Sequence, residues 1–204
     1  LLLAVAATLL WSLAAFFSEQ VWLRAASGFV LLGCGASFAA ATLQLQRKRR
    51  RKVADITLLF YRVGMISMLL AVGAGLALPW VEGEPRARLE VTFGVLVLAG
   101  FFVSVINGML YKIVPFISWL HLQRSIAVPP TMNQIIPSGP TRRQFRLHVA
   151  ALVCLIAAAA WPPSIYPAGA LLAASCGWLE WNLIGAVRLH LRLEAAARSE
   201  VRIA

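Results

Sequence analysis

Apolar residues come in long blocks along this chain, with short polar or proline-rich joints between them. The strict alternation of a half-buried strand does not dominate anywhere. The blocks fall at about 1–17, 26–45, 56–80, 91–112, 147–161 and 169–187. A helix needs about 20 apolar residues to cross about 30 Å of hydrocarbon. The blocks therefore predict an all-α, polytopic membrane protein with six transmembrane helices. The chain opens on Leu1, inside an apolar block, as the C-terminal part of a longer chain would. A secretory signal is the alternative, but no basic segment precedes the block and no clear cleavage site follows it.

Composition narrows the class. Of 204 residues, 60% are hydrophobic and 13% charged, and mean hydropathy is +0.78. A soluble domain carries about 45–50% apolar and about 25% charged residues. A soluble globular enzyme, a disordered chain and a disulfide scaffold are all excluded. Cys34, Cys154 and Cys176 each sit in an apolar block, without a C-x-x-C pair. That pattern reads as small packing residues and offers neither a disulfide framework nor a zinc site. No phosphate-binding loop, dinucleotide fingerprint, nucleophile elbow or H-E-x-x-H motif is present. Asp55 is the only aspartate, placed to cap the third span. These absences point away from an enzyme.

The net charge of +11 changes the picture only once it is mapped. Fourteen Lys and Arg residues fall on one side of the predicted spans: Arg47–Lys52, Arg124, Arg142, Arg143, Arg146, Arg188, Arg192, Arg198 and Arg202. Arg24, Arg86 and Arg88 fall on the other. Such asymmetry is the positive-inside signature, which places the basic face and the C-terminus in the cytoplasm of a bacterial inner membrane. The expected partners are the bilayer, anionic lipid at the basic face and other membrane subunits, and not nucleic acid. The joint 121–146, with Pro129, Pro130, Pro137 and Pro140, is expected to be an irregular cytoplasmic loop. Residues 188–204 are expected to form a cytoplasmic amphipathic tail that continues the sixth span as a helix along the membrane surface. The pairs Ala71/Gly75 and Ser104/Gly108 predict close helix approach.

Polar groups inside spans are costly in lipid and so carry information. Arg62, Asn107, Lys112, Glu180 and Asn182 all fall in the cytoplasmic halves of spans. At 1.5 Å per residue Glu180 lies about 12 Å inside its span end and Arg62 about 9 Å inside. A carboxylate at that depth seeks a cation, and Arg62 is the expected partner of Glu180. Such a pair either fixes helix packing or lines a relay for ions or protons. The three histidines, His121, His148 and His190, lie at the cytoplasmic ends of the last three spans. Imidazole ligates haem iron and transition metals. At a membrane boundary, contact with headgroups is the plainer role.

The segment 107–121 contains Pro115, where a bend or helix end is expected. A straight helix from Val91 to His121 would run about 45 Å, longer than the hydrocarbon core. Tyr111 and Trp119 are expected as interfacial anchors. The run Leu110-Tyr111-Lys112-Ile113-Val114-Pro115-Phe116, then Trp119, His121 and Val128-Pro129, resembles a stretch of poorly characterised bacterial inner-membrane proteins. Those proteins are loosely related to haem-copper oxidase subunit I, and the resemblance covers residues 107–129. In that group a histidine often precedes the Leu-Tyr-Lys run, where this chain has Met109. The resemblance implies haem as a cofactor, with His121, His148, His190 and Met109 as candidate ligands.

Three functional readings follow. The first is a non-catalytic or haem-associated component of a respiratory-type system. The second is a small-solute or ion transporter that uses the intramembrane Glu/Arg/Asn layer. The third is a membrane assembly or interaction protein.

Overall fold

A computed structural model describes residues 5–6, 8–9, 21–48, 55–126 and 129–203, with side chains for all but 21–24, 125, 198 and 200–203. The described residues form helices and contain no strand. In order these are α1 (Val21–Arg47), α2 (Ile56–Ala77), α3 (Gly83–Val95), α4 (Ser104–Ser125), α5 (Met132–Ile135), α6 (Ser138–Ala160) and α7 (Ile165–Ile203). A π-helical segment, Leu96–Val103, joins α3 to α4. Helices close every internal backbone hydrogen bond within one segment, which is what lipid demands.

Five helices among the described residues are long and apolar enough to cross a membrane: Ala25–Arg47, Ile56–Trp80, Gly83–Arg124, Ser138–Ala160 and Pro162–Ala197. They overlie the second to sixth expected spans. The expected span 1–17 lies outside the described residues, apart from Val5, Ala6, Thr8 and Leu9, which are helical.

The chain divides into two compact units, Leu1–Lys52 with Arg62–Phe102, and Val53–Tyr61 with Val103–Ala204. In the first unit α1, α2 and α3 pack through small residues. A Cβ on Gly75 of α2 would come within 3.0 Å of Leu32 and 3.2 Å of Phe93. Gly35 of α1 leaves a similar gap for Met68. The turn from α2 to α3 uses the 3-10 turn Leu78–Trp80 and then Gly83, whose φ of 68° lies in the left-handed region that favours glycine.

In the second unit α6 and α7 form a helical hairpin, turned by Pro162–Ser164, and α4 packs against α7. Asp55 caps α2, with its carboxylate accepting from the Ile56 N–H at 2.7 Å and its carbonyl from Leu58 and Leu59. Gly108 of α4 lets that helix meet the start of α2. A Cβ there would stand 3.1 Å from Phe60 Cβ and 3.3 Å from the Thr57 carbonyl oxygen. Phe60, Tyr111, Ile135, Ile136 and Ala186 form the buried apolar cluster of this unit.

Two local expectations are corrected. Pro115 does not end its helix, since α4 runs through it to Ser125. Proline frees one carbonyl, but Tyr111, Pro115, Ser118 and Leu122 share one buried stripe, so burial holds the helix together. The expected irregular loop 121–146 is much shorter, with only residues 126–137 between α4 and α6. Pro140 falls in the first turn of α6, where a missing N–H costs no hydrogen bond. Within that connection α5 is closed by a capping box, and the Thr131 N–H donates to Gln134 Oε1 at 2.7 Å. Ile135 and Ile136 then reach the core. The tail is continuous with the last span, for α7 runs unbroken to Ile203.

Candidate functional site

The second unit buries polar side chains on three helices at helical spacing. On α4 these are Ser104, Asn107 and Tyr111, at i, i+3 and i+7. On α6 the inward face is Thr141, Gln144, His148, Ala151 and Leu152, while Arg142, Arg143 and Arg146 are exposed. On α7 Ser175 is fully buried, and Asn182 lies two turns further along the same face.

Hydrogen bonds close these helices into a triangle. Ser104 Oγ lies 2.8 Å from His148 Nε2, tying α4 to α6. Gln144 Nε2 donates to Ser175 Oγ at 3.1 Å and to the Ser175 carbonyl at 3.3 Å, tying α6 to α7. Asn182 Nδ2 donates to Tyr111 Oη at 2.9 Å, tying α7 to α4. The ring of Phe60 closes one side, 5.6 Å from the His148 ring and 4.9 Å from that of Phe145.

The seam is incompletely satisfied. Asn107 Nδ2, Gln144 Oε1 and His148 Nδ1 are buried and have no hydrogen-bond partner among the described residues. Asn107 is 3% exposed, and Gln144 and His148 are 0%. A buried, unpaired polar atom costs about 1–3 kcal/mol, and more than 90% of such backbone groups in known proteins are paired. Three in one seam mark the part of this unit least explained by packing.

The structure divides the polar residues singled out from the sequence. Asn107 and Asn182 face the seam. Lys112 and Glu180 are exposed on the outer faces of α4 and α7. Arg62 belongs to the first unit and is exposed there. An ion pair between Arg62 and Glu180 would bridge the two units. Within its own unit each lacks an ion-pair partner among the described residues.

The histidines part company as well. His148 is corrected from a boundary residue to a fully buried one. His121 and His190 stand together on α4 and α7, with ring centroids 6.1 Å apart. His121 Nδ1 lies 2.8 Å from the Ile117 carbonyl oxygen, and His190 Nε2 lies 3.8 Å from Glu194. Met109 is 43% exposed, on the side of α4 away from Ser104, Asn107 and Tyr111. His121, His148, His190 and Met109 are thus not gathered into one set. His121 and His190 sit where α4 packs on α7, with His190 Nε2 beside Glu194. His148 is enclosed by Ser104 and Phe60. Among the described residues no three His, Cys, Asp or Glu side chains converge as a metal site would require.

Tyr111 is also corrected. It is buried, not an interfacial anchor, because its hydroxyl finds Asn182 inside the bundle. Sequence reading missed Gln144 and Ser175 altogether. The available signal was the alternation of exposed arginines with Thr141, Gln144 and His148 along the start of α6, hidden by the assignment of 138–146 to a loop.

Comparison with protein-family models, with curated proteins and with solved structures finds no match to this chain. The chain is therefore characterised by its own architecture, an all-helical protein with five described helices able to cross a membrane and a buried polar seam in one unit.

Proposed function

We propose that this chain is a multi-pass protein of a bacterial inner membrane, with its basic face and C-terminus in the cytoplasm, that moves small solutes or ions along the polar seam. The orientation rests on the positive-inside asymmetry of the sequence. The external joint is further balanced, since Arg86 pairs with Glu90 at 2.9 Å and Arg88 with Glu84 at 2.6 Å.

One observation carries the transport reading. Asn107, Gln144 and His148 are fully enclosed in candidate membrane-spanning helices, yet each keeps an unused hydrogen-bonding atom. Buried polar side chains in membrane-spanning helices are expensive and mark solute and ion pathways. Purified chain in sealed proteoliposomes is expected to raise the flux of at least one small solute or ion over protein-free vesicles, and Asn107→Leu is expected to abolish the gain. Flux equal to that of empty vesicles across a solute and ion panel would remove the reading.

The respiratory-type, haem-associated reading rests on the 107–129 resemblance alone. The interaction reading has one observation behind it: α7 continues past its apolar part with Arg188 and Arg192 exposed one turn apart. That stripe suits anionic headgroups.

A further inference from the structure

The arginines of this chain differ in what neutralises them. We propose that Arg142, Arg143 and Arg146, at the start of α6, seat the headgroup of an anionic phospholipid from the cytoplasmic leaflet. The site depends on the membrane orientation and not on transport.

Charge supplies the first argument. In the external joint Arg86 and Arg88 are each paired with a glutamate one turn away. Arg142, Arg143 and Arg146 are exposed and make no hydrogen bond or ion pair to any described residue. Helix α6 carries no Asp or Glu, and Glu180 on the neighbouring α7 forms no ion pair with them. Three guanidinium groups within residues 142–146 thus lack a counter-charge among the described residues. A phosphate diester supplies one, and the planar guanidinium matches its oxygens bidentately.

Depth supplies the second. Helix α6 ends at Ala160, and Trp161 follows it, 66% exposed, with Tyr166 82% exposed beyond the turn. Exposed Trp and Tyr settle at the headgroup boundary. At about 1.5 Å per residue, Arg142 and Arg143 stand about 27–28 Å along the helix from Trp161, and Arg146 about 22 Å. The hydrocarbon core is about 30 Å thick. A helix held by Trp161 at one boundary therefore delivers Arg142 and Arg143 to the phosphate layer of the other. Arg146 reaches that layer by extending its side chain along the helix.

The face below the arginines supplies the third. Arg142, Arg146, Ala150, Val153 and Ala157 recur every three or four residues on one exposed stripe of α6. Ala150 and Ala157 are short, which leaves room for an acyl chain to lie along the helix beneath a headgroup held by the arginines. A soluble anion would meet the charge but make no use of this apolar stripe.

The test measures lipid binding by the full chain in maltoside micelles. Native mass spectrometry follows titration with phosphatidylglycerol or with phosphatidylcholine of the same acyl chains. The chain is expected to hold phosphatidylglycerol the more tightly. Each arginine near an anionic surface contributes about fivefold in affinity. Arg142→Gln/Arg143→Gln/Arg146→Gln is therefore expected to weaken phosphatidylglycerol binding about 100-fold. Arg86→Gln/Arg88→Gln is expected to leave it unchanged. Equal binding of the two lipids, or full phosphatidylglycerol binding by the triple variant, would overturn the site. Glycerol phosphate bound as tightly as the lipid would assign the arginines to a soluble anion and overturn it too. So would capture of a glutamate-rich peptide without any lipid preference, which would assign them to a protein partner. If the triple variant does not fold, Arg143→Gln alone is expected to weaken binding about fivefold, and unchanged binding there overturns the proposal.

Discussion

Ser104 Oγ and His148 Nε2, 44 residues apart in sequence, meet at 2.8 Å with both side chains fully buried. The imidazole has no other hydrogen-bond partner among the described residues. Ser104→Ala therefore leaves a buried ring with neither nitrogen paired. The expected cost is about 1–3 kcal/mol. Removing both polar partners in Ser104→Ala/His148→Leu is expected to recover most of that loss, because no orphan then remains. Thermal unfolding of the three proteins in one detergent reads the order, and a double variant no more stable than the serine variant would contradict it.

Tyr111 and Asn182 form the tie between α4 and α7. Hydrogen bonds between membrane helices average about 0.6 kcal/mol in double-mutant cycles. The cycle of Tyr111→Phe and Asn182→Ala is expected to give a coupling of about that size. Zero coupling would mean that the bond contributes geometry but no stability.

Gly108 and Gly185 separate crowding from helix propensity. A Cβ at Gly108 would press on Phe60 and on the Thr57 carbonyl, whereas nothing lies within 4 Å of one at Gly185. Gly108→Ala is expected to destabilise by about 1–3 kcal/mol through overpacking. Gly185→Ala is expected to be neutral or stabilising by up to about 1 kcal/mol, since alanine is the better helix former. Unfolding midpoints of the two variants should shift in opposite directions or differ clearly in size.

Orientation is checked by single cysteines placed in a chain whose Cys34, Cys154 and Cys176 have been replaced by alanine. Arg86→Cys is expected to react with a membrane-impermeant maleimide in intact spheroplasts, and Arg142→Cys only after lysis. Both positions are exposed, so access reports the side of the membrane and not burial. The reverse labelling pattern would invert the proposed topology.

Glu180 is exposed next to Trp181, itself 69% exposed, and outside the seam. Glu180→Gln is expected to leave any solute flux unchanged and Asn107→Leu to remove it. Loss of flux in both would return the pathway to the charged layer.

The sequence by itself determined the all-helical, membrane-type class and the position of five apolar segments, but not the helix ends around Pro115 and 138–146. Segment length and apolarity are local properties, and the 30 Å thickness of hydrocarbon turns them directly into spans. It also brought Asn107, His148 and Asn182 forward, because intramembrane polar residues stand out whatever their neighbours. Which of them face inward was decided only by the tertiary structure. A helix in lipid can rotate about its axis with little change in apolar exposure, so packing sets the inward face. Hence Lys112 and Glu180, indistinguishable from Asn107 in the linear pattern, point outward, while Gln144 and Ser175 meet between α6 and α7 across 31 residues of chain.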